Sequence, residues 1–247
     1  MMNETIQKIQ DHRSIRNFLD KEIDDATVDE ILMASQAMPN SINGQQTSVI
    51  VIRNKASKAK LAELTGGQNW IDSAPVFLVF IADFYKTNLA AQKNGLKQVI
   101  HESVEGTMVG AVDVGLNMGA AIIAAESLGL GIVPIGGVRK NPDEVIKLLD
   151  LPEYTFPVAG LALGYPKDPS HKKPRLPFDT FKHDEKYHVE GLKKQIDEYD
   201  QEMEQYLKEI GREQEGNWSK YTSNVYQYVY YPKVYPVIKD QGFKNDK

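Results

Sequence analysis

The stretch with the densest chemistry is His12-Arg13-Ser14-Ile15-Arg16. Three cationic-capable side chains and a hydroxyl surround one isoleucine. An anion-binding strip has this make-up, because the apolar residue anchors the backbone while guanidinium, imidazole and hydroxyl groups converge on phosphate oxygens. In an extended segment residues 12, 14 and 16 point the same way and span roughly 13 Å at ~3.3 Å per residue. The competing reading is a surface charge cluster closing a helix, with Arg and His near its C-terminus. Locally neither reading wins.

Other stretches bear on the choice. A second basic cluster, Lys172-Lys173-Pro174-Arg175-Leu176-Pro177, lies far away in sequence, and a phosphate dianion needs about two charge-assisted partners. The loop Pro39-Asn40-Ser41-Ile42-Asn43-Gly44-Gln45-Gln46, together with Gln68, offers amides suited to the donor/acceptor edge of a planar heterocycle. Gly136-Gly137 lets backbone N–H groups approach such a ring with no side chain in the way. Taken singly, Gln68 and Gly136 read as ordinary loop residues; their joint presence shifts the balance. There is no P-loop, no G-x-S-x-G elbow and no H-E-x-x-H, and Gly129-Leu130-Gly131 lacks the third glycine of a dinucleotide fingerprint. His183 and His188, the one close histidine pair, have the wrong helical offset for a metal site, so no metal is expected.

Composition narrows the classes further. The chain has 247 residues, 41% hydrophobic and 26% charged, long enough for a sizeable core. A net charge of -5 argues against a general nucleic-acid binder. The absence of cysteine removes thiol nucleophiles, iron–sulfur clusters, Cys-ligated zinc and disulfides. With no disulfide framework and a polar start at Met1-Met2-Asn3-Glu4, the expected compartment is the cytoplasm. The longest apolar run, residues 106–125, contains Asp113 and many small residues, and reads as a core helix, not a membrane span.

The elements that must position these groups follow from periodicity. Asn3 caps a short helix that ends where the basic cluster begins. Val28, Ile31, Leu32 and Ala34 recur at helical spacing, giving a helix from about 25 to 38. Residues 49–52 form a strand, a helix runs to Leu64 with Gly66-Gly67 closing it, and residues 75–82 form a strand buried on both faces. Residues 86–102 carry no clear pattern. A long helix covers 104–128, its small residues letting other backbone approach closely, which suits packing against a second copy or a core. Residues 132–135 form a short strand, Asn141-Pro142-Asp143-Glu144 a capped helix start, and residues 156–163 a further strand. Beyond about residue 180 an amphipathic helix carries Leu192, Ile196, Tyr199, Met203 and Tyr206, and six of the twelve tyrosines fall between Tyr221 and Tyr235. So aromatic a tail must lie against its own body or a partner.

Taken in order, HRSIR, PNSINGQQ, TGGQ, AAESLGLG, IGG and KKPRLP resemble the FMN-dependent nitroreductase family, and most closely its NADPH-using branch of oxygen-insensitive nitroreductases, FMN reductases and NADPH oxidases. The resemblance implies an α+β fold with a mixed central sheet flanked by helices, in a homodimer with an extended C-terminal arm. The expected division is an FMN-binding core over 1–180 and an arm over 181–247. It also implies one FMN at each of two sites between subunits, with NADPH, or NADH, as electron donor. Positions matching His12, Arg13, Ser14 and Arg16 would hold the phosphate, ribityl and pyrimidine side, with Lys173 and Arg175 also reaching the phosphate. Asn40, Ser41, Asn43 and Gln45 would border the ring from the other subunit. Gln68 and Pro134, Ile135, Gly136 and Gly137 would meet its edge. Two departures stand out: Asn40 replaces a common serine, and Pro134 replaces an aromatic or other residue. The expected activity is ping-pong transfer of hydride to small acceptors such as nitroaromatics, quinones, free flavin or dioxygen, with no obligatory protein acid or base. Arg16 would tune the flavin, and Arg212 of the arm would meet the NADPH 2′-phosphate. No nucleic acid or membrane partner is implied, and the alternative is a non-catalytic flavin carrier or sensor.

Overall fold

A computed structural model describes residues 3–247, so Met1 and Met2 of the polar start lie outside the described residues. In chain order the elements are α1 (Glu4–Gln10), α2 (Asp25–Gln36), β1 (Thr47–Ile52), α3 (Lys55–Leu64), α4 (Asn69–Ser73), β2 (Val76–Asp83), α5 (Tyr85–Lys93), α6 (Val104–Ser127), β3 (Gly131–Ile135), α7 (Pro142–Leu148), β4 (Thr155–Gly164), α8 (Leu192–Glu209), α9 (Trp218–Tyr226) and α10 (Val234–Asp240). The chain forms two compact units, residues 1–170 with 231–247, and residues 171–230.

The first unit is organised by β2. Its alternate residues feed two cores: Phe77, Val79 and Ile81 pack with Leu61, Ile71, Val138 and Val145, while Val76, Leu78, Phe80 and Ala82 pack with Val28, Ile31, Val114 and Ala121. A strand buried on both faces needs an apolar residue at every position. The strand order is β1-β2-β4-β3, and every pairing within it is antiparallel. Among the described residues the parallel part of the expected mixed sheet is confined to one bridge, Ser14 to Ile132.

Several helix boundaries have visible causes. Asn3, Asp24 and Asn54 each accept a backbone N–H of the first turn of the helix they cap. Asn141 does not act as expected: its side-chain amide donates to Leu64 O at 2.8 Å and its oxygen accepts from Lys233 at 2.9 Å, so α7 starts on Pro142 with no side-chain cap. The patternless stretch contains a helix, α5, whose N–H groups at Tyr85 and Lys86 are met by Asp83 Oδ1. Helix α6 is long and apolar enough to cross a membrane. Here it lies against α2 and the sheet, with Asp113 and Asn117 buried on its inner side.

In the second unit Tyr199, Met203 and Leu207 of α8 bury against Leu176 and Trp218. Tyr221, Tyr226 and Tyr228 remain exposed.

Candidate functional site

The basic strip is docked on the free edge of β3. Ile15 N–H donates to Ile132 O at 2.8 Å, and the Ile15 side chain enters the first core. Gly131 makes the approach possible, because a Cβ there would lie 2.7 Å from Ile15 Cβ. Ser170 Oγ donates to Ser14 O at 2.9 Å, and Leu19 N–H to Tyr165 O at 2.8 Å, so the strip is stitched along its length. A buried isoleucine at the centre of the cluster matches the anchored-strip reading and not the surface-cluster one.

The polar side chains of the strip then have defined surroundings. His12 Nδ1 lies 2.6 Å from Glu126 Oε1, in the last turn of α6. The carboxylate is placed to accept a hydrogen bond from Nδ1–H, which leaves Nε2 as the ring's outward nitrogen. Arg13 is exposed at a hollow of about 720 Å³ that is also lined by Lys8, Lys167, Glu126 and Asp168. Arg16 carries its guanidinium 5.6 Å from the centre of the Trp70 ring, within cation–π range.

A second group of expected residues meets next to the strip. The turn Gly66-Gly67, left-handed at φ 99° and 81°, closes α3 and delivers Gln68, whose Nε2 donates to Thr65 O at 3.1 Å. Gln68 is seated on Gly137: a Cβ at 137 would lie 2.4 Å from Gln68 Nε2 and 2.7 Å from Thr65 O. Gly137 continues from β3, where Pro134 is exposed and Ile135 is buried. The Ser14–Ile132 bridge, the Gln68–Gly137 contact and the Arg16–Trp70 cation–π contact therefore gather 12–16, 68–70 and 132–137 into one patch. Two exposed guanidinium groups, a hydroxyl, a side-chain amide and glycine backbone form a donor set suited to a phosphate-bearing planar heterocycle, and the Gly137 cradle excludes any larger residue there.

The loop over 39–46 is elsewhere on the same unit. Ser41 N–H and Gln46 Nε2 donate to Asp113 of α6, at 3.2 and 2.5 Å, and Gln45 N–H donates to Asn40 Oδ1 at 2.9 Å. Asp113 and Glu126 are thirteen residues apart on one helix, about 20 Å along its axis at ~1.5 Å per residue. One chain thus presents its strip and its loop at separate places. Ile42, at φ 50°, is 96% exposed, a costly conformation and setting for a β-branched apolar residue.

Lys173, Arg175 and Arg212 belong to the second unit. Arg175 Nη1 donates to Lys173 O at 2.8 Å, and Tyr199 Oη ties the same turn to α8 through Pro174 O at 2.9 Å. Arg212 is forked on Glu215, with bonds of 2.5 and 2.8 Å. Among the described residues no group of three His, Asp or Glu side chains is placed to hold a metal. Glu126, Asp113, Gln46 and Trp70 are partners the sequence did not assign. Glu126 stood inside AAESLGLG and Asp113 was the lone acid of an apolar run, but neither signal names the residue it meets.

Residues 9–165 match the model of the Nitroreductase family, and residues 173–246 match that of the Nitroreductase family, C-terminal domain. The chain is 46% identical over 249 residues to an FMN reductase (NAD(P)H) of Bacillus subtilis (strain 168), covering 100% of both. It is 34% identical over 247 residues to an oxygen-insensitive NADPH nitroreductase of Salmonella typhimurium, covering 98% of this chain and 99% of that one. Among solved structures, B. megaterium NfrA2 superposes with a TM-score of 0.97 at 48% identity over 100% of both chains.

Proposed function

This chain belongs to the nitroreductase family, and from that premise we propose that it is an FMN-dependent NAD(P)H oxidoreductase whose two sites lie between the subunits of a homodimer. It is an oxidoreductase of the flavin type, with FMN as cofactor and NAD(P)H as donor. FMN, when bound, supplies the hydride-accepting and hydride-donating chemistry.

The observation that carries the reading is the single patch formed by the docked strip, the Arg16–Trp70 cation–π contact and Gln68 on Gly137. His12, Arg13 and Ser14 hold the phosphate end, with Lys173 and Arg175 assigned to the same phosphate on sequence pattern. Arg16, beside Trp70, would put a permanent cation toward the ring, where it would favour negative charge that develops on transfer. Gln68 and residues 134–137 border the ring edge, and Pro134 leaves a flat apolar surface with no N–H beside the acceptor's place.

Asn40, Ser41, Asn43 and Gln45 complete the site from the partner. One feature supports this. The outer side of α6 exposes Val104, Met108, Val112 and Leu116 at four-residue spacing, while Gly115 and Gly119 have open space at their Cβ positions. A continuous apolar stripe with room for close approach fits a second copy of the same helix.

Donor and acceptor take turns at the same open face, so NAD(P)H leaves before the acceptor enters. Free flavin, nitroaromatics and quinones are the proposed acceptors, the first two on the names of the relatives above. Each of those names describes turnover, which favours catalysis over a carrier role. Arg212 remains the residue proposed for the 2′-phosphate, and that phosphate has to compete with Glu215 for it.

The test is an anaerobic mix of FMN-loaded protein with NADPH or NADH, followed by flavin absorbance. Bleaching that reverses on adding acceptor is expected. Protein that cannot be loaded with FMN, or loaded protein that neither nucleotide bleaches, would overturn the proposal.

A further inference from the structure

We propose that Asp113 is a positioning residue for the flavin site: it holds the loop 40–45 of its own subunit in the shape presented to the partner's cofactor. The inference rests on the reading above that this loop borders the ring.

The loop is pinned at both ends to two successive turns of α6. At its entrance, Asn117 Nδ2 donates to Ser35 O at 2.6 Å, and Ser35 Oγ returns a bond to Asn117 O at 2.9 Å, which fixes the end of α2. At the loop itself Asp113 takes Ser41 N–H, 3.3 and 3.2 Å to its two oxygens, and Gln46 Nε2 at 2.5 Å. Gln46 is buried, and its carbonyl accepts Asp83 N–H at 2.9 Å, so the far end of the loop is tied to β2 as well.

Between these pins the backbone is held where side chains rarely go. Ile42, Asn43 and Gln45 have φ of 50°, 55° and 52°. Three such residues in four positions persist only when the surroundings over-determine them. Gly44 is the fourth, and a Cβ on it would lie 2.3 Å from Gln46 Oε1, so the amide that Asp113 orients also sets how tightly the loop folds over.

Asp113 is suited to this work by its charge. It is 3% exposed, and among the described residues no cationic side chain pairs with it. Its carboxylate is met by neutral N–H groups that belong to the loop and its exit. A loop that let go would leave a buried anion without partners, a costly state. The acid therefore makes loop order and core burial interdependent, which an apolar residue at 113 could not do.

Three variants test the claim: Asp113→Ala, Asp113→Asn and Gln46→Met. The first readout is amide hydrogen exchange on the full-length protein. In Asp113→Ala the amides of 40–46 should exchange at least tenfold faster while those of α2 and α6 keep their rates, and FMN affinity should fall roughly tenfold. Asparagine keeps one acceptor oxygen and should restore part of both. If Asp113→Ala does not fold, Gln46→Met, which removes one donor and leaves the acid, should show the same pattern at smaller size. Unchanged exchange in the loop, or a loosened loop with unchanged FMN affinity, overturns the proposal. Wild-type protein that binds no FMN would instead sink the functional reading and leave the exchange result to judge the anchor.

The partner's share is read from mixed dimers of an Asp113→Ala subunit with an Arg16→Ala subunit. If the loop serves the partner, one site receives both defects and the other neither, and each dimer binds one FMN with wild-type affinity. Two weakened sites would mean that the loop acts within its own subunit and would refute the assignment.

Discussion

Glu126 and His12 meet at 2.6 Å across 114 residues of sequence, the carboxylate in the last turn of the longest helix and the imidazole at the head of the basic strip. The contact is part-buried, and it orients one ring nitrogen so that the other faces outward. Removing it should be felt by whatever anion the strip holds. Glu126→Ala should weaken FMN binding by roughly tenfold, in line with about 1.5 kcal/mol for a lost charge-assisted bond. Glu126→Gln, which keeps an acceptor, should lose less. Titration of the apoprotein by quenching of flavin fluorescence measures both, and equal affinities in all three proteins would remove Glu126 from the site.

Gly137 gives a sharper steric forecast. An alanine there puts its methyl against Gln68 Nε2 and against the backbone oxygen of Thr65. The amide can swing away but the carbonyl cannot, so Gly137→Ala should cost about 1–3 kcal/mol of stability and displace Gln68. Thermal melting and FMN affinity should fall together. Gly131→Ala makes the companion case, because its methyl meets Ile15 and pushes the strip off β3.

The apolar stripe of α6 predicts an assembly defect. Val112 is 58% exposed in the single chain. If the proposed dimer forms through this stripe, Val112→Asp should yield monomers by light scattering, and FMN binding should be lost with it, since each proposed site draws on both copies. Monomers that still bind FMN tightly would contradict the shared site.

Acid should loosen the C-terminal segment. Glu102 is held down to about 2, from an ordinary 4.5, by hydrogen bonds from Lys247 and Lys244 that outweigh its burial. A carboxyl depressed in the folded state contributes stability that is fully present above pH 4.5 and is lost as pH falls toward about 2. His101 adds to the same slope from higher pH. Burial lowers its affinity for protons below the ordinary 6.5, against the pull of Glu102. The unfolded chain therefore takes up that proton first, and stability falls as pH drops below 6.5. Melting temperature should decline through both ranges. Glu102→Gln should flatten the lower one, and added salt should shrink it because the lysines are half exposed. An unaltered acid limb in Glu102→Gln would count against this account.

How much of this was legible in the chain depended on range. Val76 to Ala82 announced a two-faced strand because every residue there is apolar, and α2 and α6 followed from local spacing. Ile15 signalled its own burial by its neighbours. What could not be read was pairing at long range: nothing local to Asp113 says that its partners are Ser41 and Gln46, and nothing near His12 says Glu126. Asn141 shows the opposite failure. Its local context fits a cap, but Leu64 O and Lys233 offered better partners from far along the chain. Helix α5 escaped notice because no buried residue marks its face.

Helix α6 is a core element with two anchor points, and in the proposed dimer it takes on a second meaning. Glu126 of one helix steadies the strip of its own site, while Asp113 of that helix steadies the loop that serves the other. Each flavin would then rest on both helices, and each helix would answer to both flavins. In such a dimer a bend or slide of one α6 against its twin would not be confined to one site, and loading the first cofactor would change the footing of the second.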